Sequence, residues 1–248
     1  MRENRIIKNK KEIKTNRQWF NAAPPTGGKK QWVPLHSASE LADYFLHSGN
    51  SIPSEIDEIL DEINISKDIC FTSVPEHQTV LDPKLFGING PRNHDLLMIA
   101  NNKEVVIGIE AKATESLDKY VSAYKAETPN SQLRYNGLCE QILNKDKDQC
   151  ANIRYQLLSA AAGTLIEAEL NHSKKAVVLV ILFNSKIVSS DHILNTKSDI
   201  DNFKKALSEY KKLGKDEFET PFKPGIKLYV RFIVVDVCSY QKRTDEKL

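Results

Sequence analysis

Two acidic residues and a lysine lie at the ends of two short apolar segments that are joined by a polar turn. Asp95 precedes the apolar segment 96–100, while Glu110 and Lys112 follow the segment 105–109. Short apolar segments rich in β-branched residues on both sides of an Asn-rich turn are typical of a β-hairpin. The sequence therefore predicts a hairpin that carries these three side chains at its open end.

The turn between the two strands sets their register. A two-residue turn at 102–103 places Asp95 opposite Glu110. Opposed residues in an antiparallel pair have Cβ atoms about 5 Å apart and project to the same face. Lys112 shares that face because it lies two residues beyond Glu110. Two carboxylates this close repel each other unless a cation lies between them, so the pattern predicts a site for a divalent cation.

The chemistry that these groups favour is metal-dependent hydrolysis of a phosphodiester bond. Carboxylate oxygens suit Mg²⁺, which accepts one or two protein carboxylates and keeps several waters. The ion would polarise the phosphate and lower the pKa of an attacking water, and Lys112 would orient that water or neutralise charge at phosphorus. Two alternatives remain open. The residues could form an exposed cross-strand pair that Lys112 balances, or 110–113 could be a first helical turn, because its residues favour helix.

The distribution of charge is more informative than its total. A net charge of +2 is too small to indicate a nucleic-acid partner by itself. Residues 1–17 hold seven lysines and arginines, however, and a stretch with two prolines and two glycines follows. We therefore expect residues 1–31 to form a basic arm and a linker, either contacting phosphate groups or simply solvated. Residues 242–248 are expected to be a charged tail.

The cysteines and the longest apolar segment indicate a cellular compartment. The four cysteines are too far apart for a zinc knuckle or a redox pair, so free thiols in a reducing compartment are expected. The apolar segment 176–183 is too short to cross a bilayer, and the N-terminus lacks the apolar core of a signal peptide. We therefore expect a cytoplasmic protein with no membrane partner.

The elements that position the hairpin follow from periodicity and turn residues. Three consecutive strands followed by a helical crossover to an apolar strand indicate a mixed sheet with helices on both faces. The predicted elements are helices at 38–47 and 54–63, a strand at 69–81, the hairpin, helices at 117–124, within 130–151 and at 153–170, a strand at 176–183, a helix at 199–213 and a strand at 226–237.

Asp95, Glu110 and Lys112, in this order of elements, resemble the motif of the PD-(D/E)XK nuclease superfamily, which has the restriction-endonuclease-like fold. That motif is an acidic residue opening one strand of a hairpin and E-x-K at the end of the next. His94 stands where the family name has proline. From about Trp32 to Phe183 the chain is also similar to a group of uncharacterised bacterial members. The shared segments are Ser37–Ala42, Pro75–His77, His94–Asp95 and Arg154–Leu157.

The resemblance implies an architecture for the whole chain. The fold would be α/β, with a restriction-endonuclease-like αβββαβ core and a mixed central sheet flanked by helices. A helical extension would precede the core, and a helix and a strand would be added after it. Residues 32–241 would then form a single nuclease-like domain.

The resemblance also implies roles for the hairpin residues. Asp95 and Glu110 would be the metal-binding carboxylates, with the backbone carbonyl of Ala111 as a further ligand, and Lys112 would be the catalytic lysine. Family members often add another glutamate, for which Glu76 is the candidate. A surface glutamate on an edge strand is the alternative for that position.

Members of the superfamily often place a polar residue of the following helix beside the site. Arg154 or Gln156 would occupy that position and contact phosphate or the region of Lys112. A structural salt bridge is the alternative for Arg154. His94 could touch the site, but a structural histidine is the favoured interpretation.

The implied function is that of a Mg²⁺-dependent DNA endonuclease, with Mn²⁺ as a substitute ion. Its substrate would be double-stranded DNA, as for type II restriction enzymes or bacterial defence nucleases. A homodimer is expected if both strands of a symmetric site are cut. Two other functions remain open: a non-catalytic nucleic-acid-binding or scaffold protein on the same fold, and a nuclease acting on RNA or in repair.

Overall fold

The computed structural model describes residues 2–87, 90–125 and 128–241. Within these ranges the strands form one mixed sheet of order β2-β1-β3-β4-β5-β6-β9-β8-β7. The strands are β1 (Glu3–Lys8), β2 (Lys11–Glu12), β3 (Cys70–Thr79), β4 (Arg92–Ala100), β5 (Val105–Lys112), β6 (Lys175–Asn184), β7 (Lys212–Gly214), β8 (Glu217–Phe218) and β9 (Lys227–Asp236).

Helices cover both faces of the sheet. The helices are α1 (Asn16–Ala22), α2 (Ser37–His47), α3 (Ser54–Glu62), α4 (Pro83–Phe86), α5 (Pro129–Leu143), α6 (Tyr155–Leu170), α7 (Ser190–Lys211) and α8 (Val237–Gln241). Helices α1, α2, α3 and α8 pack on one face, and α4 to α7 pack on the other. In the part of the chain that is described, no helix is both long and apolar enough to cross a membrane.

The central strand β6 shows why the sequence carries an unbroken apolar segment there. Val177, Leu179 and Ile181 point into one core layer, whereas Val178 and Val180 point into the other. A strand covered on both faces has no solvent side, so polar residues do not alternate with apolar ones. Strand β6 lies parallel to both of its neighbours, β5 and β9, whereas β3, β4 and β5 are antiparallel. The predicted α/β fold with a mixed sheet flanked by helices is therefore confirmed.

The hairpin has the predicted register, but the predicted two-residue turn is wrong. Residues 101–104 connect the strands, and the Lys103 amide donates to the Ala100 carbonyl at 3.0 Å. Strand β5 also runs on beside β6 as far as Lys112, which pairs with Leu182. The alternative of a helical turn at 110–113 is therefore wrong. The recorded pairs between β4 and β5 are Leu96 with Ile109, Leu97 with Gly108, Met98 with Ile107 and Ile99 with Val106.

Two glycines allow α6 to approach the hairpin closely. A Cβ atom on Gly108 of β5 would lie 2.2 Å from Thr164 Oγ1, and one on Gly163 of α6 would lie 2.8 Å from His94 Nε2. Side chains at these positions would push the helix away from the sheet. The close contact brings the first turn of α6 over the end of β5, where Glu110 lies.

The basic arm predicted within residues 1–31 is wrong for residues 3–22, which form β1, β2 and α1. Strand β1 pairs in parallel with β3 and extends the sheet. The Arg2 side chain is fully buried, with Nη1 2.5 Å from Asp57 Oδ1 and Nη2 3.0 Å from Asp61 Oδ1. Ile6 and Trp19 join the core. The basic residues of this segment suggested exposure. The strand was missed because the acidic partners that allow Arg2 to be buried lie more than fifty positions away in the sequence.

The predicted helix at 117–124 is also wrong. The segment forms a loop with one short 3₁₀ turn at Val121–Ala123. The Val121 amide donates to the Ile153 carbonyl at 2.9 Å, and the Tyr155 amide donates to the Lys119 carbonyl at 3.1 Å. These bonds to the start of α6 replace the bonds that a helix would make within itself. The predicted tail at 242–248 lies outside the described residues.

Candidate active site

Glu110 and Lys112 lie at the C-terminal end of β5, on the face that α6 covers. Their side chains are 3% and 9% exposed, and Lys112 Nζ is 3.1 Å from Glu110 Oε1. Strand β5 is central in the sheet, so its end is enclosed by neighbouring strands and by the helix. The alternative of an exposed cross-strand pair is therefore wrong.

Asp95 lies where β4 and β5 stop pairing. The last recorded pair is Leu96 with Ile109, and directly beyond it the Ala111 amide donates to Asp95 Oδ2 at 2.7 Å. The carboxylate thus closes the ladder at this end of the hairpin. It is close enough to Glu110 for their charges to interact. The sequence-based prediction that these two acidic residues lie together agrees with this placement.

The regular alternation of β4 is broken at Asp95. Leu96 points into the core layer opposite α6, yet His94, two residues earlier, contacts Gly163 of α6. In an unbroken strand these two side chains would share a face. The break turns the first part of β4 towards α6 and towards Glu110.

The break brings Arg92 to Glu110. Arg92 Nη2 donates a hydrogen bond to Glu110 Oε2 and forms an ion pair with it. The arginine side chain is 11% exposed. The sequence reasoning missed this residue. Regular alternation would place Arg92 on the face opposite Asp95, so only the irregularity in the strand explains the contact.

Gln156, in the first turn of α6, also contacts Glu110. Its Nε2 donates to Glu110 Oε1, and its Oε1 accepts from the Asp118 amide at 3.1 Å. The loop before the helix therefore fixes which end of the amide faces the carboxylate. The placement agrees with the expectation that a polar residue of this helix lies beside the hairpin.

Arg154 lies outside this cluster. Its Nε is 2.7 Å from Asp199 Oδ2, its Nη1 donates to the Asp118 carbonyl at 3.1 Å, and its guanidinium lies 3.7 Å from the centre of the Tyr120 ring. These contacts fasten α7 and the preceding loop to the start of α6. They match the salt-bridge alternative for Arg154 rather than a phosphate contact.

Glu76 lies beside Asp95 on the neighbouring strand. The pairs Pro75 with Leu96 and His77 with His94 flank it, and its φ of +45° puts a left-handed residue within β3. Burial raises its pKa to about 7, and the charge of Glu110 adds to this, while Lys8 opposes it. Glu76 is therefore within electrostatic reach of the cluster.

The ionisation of the hairpin residues follows from burial and neighbouring charge. Burial, and then the charge of Glu110, raise the pKa of Asp95 to about 8, although Lys112 and the Ala111 amide oppose the shift. Burial also disfavours the charged form of Glu110, but Arg92 and Lys112 outweigh it and hold its pKa below the usual value. Burial likewise disfavours charged Lys112, yet Glu110 and Asp95 raise its pKa. Near neutral pH, Glu110 and Lys112 are therefore charged while Asp95 retains its proton.

The carboxylates fit Mg²⁺ as a pair rather than as a larger set. Among the described residues, no three histidine, cysteine, aspartate or glutamate side chains are grouped so that they could hold a metal ion. Asp95 and Glu110 supply two hard oxygen donors, which Mg²⁺ accepts together with waters and substrate phosphate. Burial is the main cause of the raised pKa of Asp95, and the negative charge of Glu110 adds to it. The roles of Glu76 and of the Ala111 carbonyl as metal ligands stay predictions.

His94 has the structural placement that the sequence favoured. It is fully buried beneath α6, and its Nε2 is 3.2 Å from Thr79 Oγ1. Thr79 in turn donates to Glu167 Oε1 at 2.7 Å. Gly108 and Gly163 leave room for the ring. This chain of contacts connects the sheet to the second half of α6.

Comparison with known proteins gives a family but no described activity. A family model described as Domain of unknown function (DUF6946) matches residues 12–236. No curated protein and no solved structure matches the chain. The matched segment includes most of the described sheet and the whole Glu110 cluster, so the candidate site lies within the domain that defines the family. The chain belongs to the DUF6946 family.

Proposed function

We propose that this protein is a Mg²⁺-dependent endonuclease that hydrolyses phosphodiester bonds in double-stranded DNA. The observation that carries the proposal is the grouping of Asp95, Glu110 and Lys112 at the buried end of a central strand. Strongly shifted pKa values of buried groups are concentrated at functional sites. Gln156 supplies a fourth polar group from the helix that follows in the core.

The strand order supports the restriction-endonuclease-like core as part of this proposal. Strands β3, β4 and β5 form an antiparallel meander, and α6 precedes β6, which lies parallel to β5. With α2 and α3 before the meander, the sequence of elements is compatible with the αβββαβ core. Strand β9 and α7 would be the C-terminal addition, and β1 with α1 would extend the N-terminal side.

Each side chain would have a distinct task in hydrolysis. A bound Mg²⁺ would polarise the phosphate and lower the pKa of an attacking water. Asp95 and Glu110 would hold that ion. Lys112 is kept charged by its carboxylate neighbours and would neutralise the charge that develops at phosphorus. Gln156 would hold the Glu110 carboxylate in place through its amide.

A non-catalytic role is the second candidate, and one observation favours it. Arg92, Lys112 and Gln156 all contact the Glu110 carboxylate, so the cluster is a satisfied ion network as it stands. Such a network would serve a scaffold or a nucleic-acid-binding protein that never binds a metal. The two candidates differ in whether Mg²⁺ and cleavage depend on the carboxylates.

Incubation with three substrates tests the proposal. The purified chain is mixed with supercoiled plasmid, linear duplex and single-stranded RNA, with Mg²⁺ or with EDTA. Mg²⁺-dependent nicking of the closed circle supports the proposal, whereas attack only on ends or only on RNA contradicts it. Glu110→Gln should abolish nicking. Glu217→Gln should not, because Glu217 lies on β8, next to the edge strand β7 and away from the central strand β5. Cleavage that survives Glu110→Gln would favour a different site.

A further inference from the structure

The Arg92 guanidinium contacts the Glu110 carboxylate at a place where a divalent cation would also bind. Its guanidinium and the Lys112 ammonium contact different oxygens of the carboxylate, Oε2 and Oε1. A carboxylate that already accepts two cationic donors offers little charge to a third partner. Binding of a divalent cation at Glu110 is therefore favoured when one of these cationic donors leaves.

Of the two cationic donors, Arg92 is bound less completely in its present position. Its Nε is buried and makes no hydrogen bond within the described ranges of the chain. A buried N–H without an acceptor destabilises the arrangement that leaves it unpaired. Lys112, in contrast, donates to Glu110 Oε1 at 3.1 Å from a position two residues further along the same strand. The pairing of Arg92 with Glu110 is thus incomplete on the arginine side.

A guanidinium suits a phosphodiester better than it suits this carboxylate. Arginine presents several N–H donors in a planar fork that matches two phosphate oxygens at once. Arg92 belongs to the segment that the break at Asp95 turns towards Glu110. A short movement of its side chain would bring Nε and Nη2 to an anionic oxygen beside the cluster.

We infer that Arg92 is an exchangeable counter-ion of this site, which pairs with Glu110 in the cation-free protein and with a substrate phosphate once the cation is bound. The inference rests on the proposed function. It assigns the substrate contact to a residue of β4 rather than to Arg154. It also explains how a buried, fully paired Glu110 becomes available as a ligand.

Calorimetric titration with Mn²⁺ tests the exchange without relying on activity. Wild type, Arg92→Gln and Lys227→Gln are compared. Lys227→Gln is the control, because it also removes one positive charge from an ion pair, in this case with Glu217. Lys227 lies at the opposite end of the strands, beside Lys175 and Val105. Arg92→Gln should bind Mn²⁺ about tenfold more tightly than wild type, since a competing buried charge is removed. Lys227→Gln should match wild type.

The outcomes separate the inference from the proposed function. Equal or weaker Mn²⁺ binding by Arg92→Gln overturns the exchange and leaves the nuclease proposal standing. Failure of both wild type and Arg92→Gln to bind Mn²⁺ overturns the nuclease proposal itself. If Arg92→Gln does not fold, the arginine side-chain Nε–H signals of ¹⁵N-labelled wild type are followed by NMR during Mg²⁺ addition. A shifted Arg92 signal supports the exchange, and an unchanged one contradicts it.

The phosphate contact has its own measurement. Duplex DNA binding is measured at several salt concentrations with Mg²⁺, in a Lys112→Met background in which cleavage is slow compared with the binding measurement. Adding Arg92→Gln should make the slope of log affinity against log salt shallower by about 1, because one phosphate contact is lost. An unchanged slope contradicts the contact between Arg92 and phosphate.

Discussion

At the scale of single residues, Glu110 is the centre of the candidate site because three different elements reach its carboxylate. Arg92 comes from β4, Lys112 from β5 itself and Gln156 from α6. Two of the three partners carry positive charge, so Glu110 stays ionised although it is buried. Any change in one partner therefore alters the charge and the position of the others.

Replacement of the lysine should separate catalysis from folding. Lys112→Met should lower plasmid nicking by about 100-fold, since a positive charge at the reacting phosphate is lost. The protein should remain folded, because Arg92 and Gln156 still contact Glu110. Nicking assays and circular dichroism melts check both expectations. Nicking at the wild-type rate by the folded variant would remove Lys112 from the mechanism.

The raised pKa of Asp95 predicts a dependence of stability on pH. The folded state keeps a proton up to a pKa of about 8, whereas the ordinary value is 3.8. The stability that this proton contributes is complete below pH 3.8 and is lost as the pH rises through 8. Asp95→Asn cannot lose this contribution. Its Tm relative to wild type should therefore rise between pH 5 and pH 8.

Thermal melts across this pH range check the prediction. Asp201→Asn is the control, because Asp201 lies exposed on α7 and pairs with Lys197. Its Tm difference from wild type should stay nearly constant over the same range. A difference for Asp95→Asn that is constant or falls with pH would contradict the assigned titration.

At the scale of elements, the hairpin and α6 together decide which side chains meet. The hairpin register could be predicted because two apolar strands on either side of a polar connection favour one alignment, although that connection is four residues long and not two. A polar residue of α6 beside the hairpin was implied only by the resemblance to the nuclease superfamily, which did not distinguish Gln156 from Arg154. Arg92 could not be predicted, because the strand alternation breaks at Asp95 and no local pattern signals such a break. The hydrogen bond from the Asp118 amide to Gln156 Oε1 could not be predicted either, because it joins residues 38 positions apart that belong to different periodic segments.

Close packing of α6 should be sensitive to one added methyl group. Gly163→Ala places a Cβ 2.8 Å from His94 Nε2 and 3.0 Å from Arg92 Cγ. The alanine favours helix by up to about 1 kcal/mol, but the clash should cost about 1–3 kcal/mol and leave a net loss of stability. Nicking should fall as well, because Arg92 and Gln156 are displaced. Urea denaturation with nicking assays checks this, and a variant as stable as wild type would contradict it.

At the scale of the whole molecule, the sheet is held together by contacts between distant parts of the sequence. Glu3 of β1 pairs with Cys70 of β3, and Lys175 of β6 pairs with Lys227 of β9. Pairings of this kind follow from the complete fold and not from local propensity. This is why the sequence indicated the central strands correctly and misassigned residues 3–22, whose lysines and arginines suggested an exposed arm.

The buried N-terminal arginine provides a test of that correction. Arg2→Met should lower the free energy of unfolding by about 3 kcal/mol, because the Arg2 side chain is fully buried and its loss removes the ion pair with Asp57 and one of the two ion pairs of Asp61, which keeps Lys67. Arg5→Gln, on an exposed position of the same strand, should change it by less than about 0.5 kcal/mol. Urea denaturation of both variants checks the prediction. If both variants change the free energy of unfolding by the same small amount, the prediction of an exposed basic arm would be supported again.

The pairing of β6 with β9 has a consequence for synthesis of the chain. Strand β6 is almost wholly apolar, and one of its edges is open until residues 227–236 have left the ribosome and paired with it. An apolar strand with a free edge is a template for association with other chains. A nascent chain stalled before Lys227 would therefore be prone to aggregate, and helper proteins that shield apolar strands would bind it at this stage.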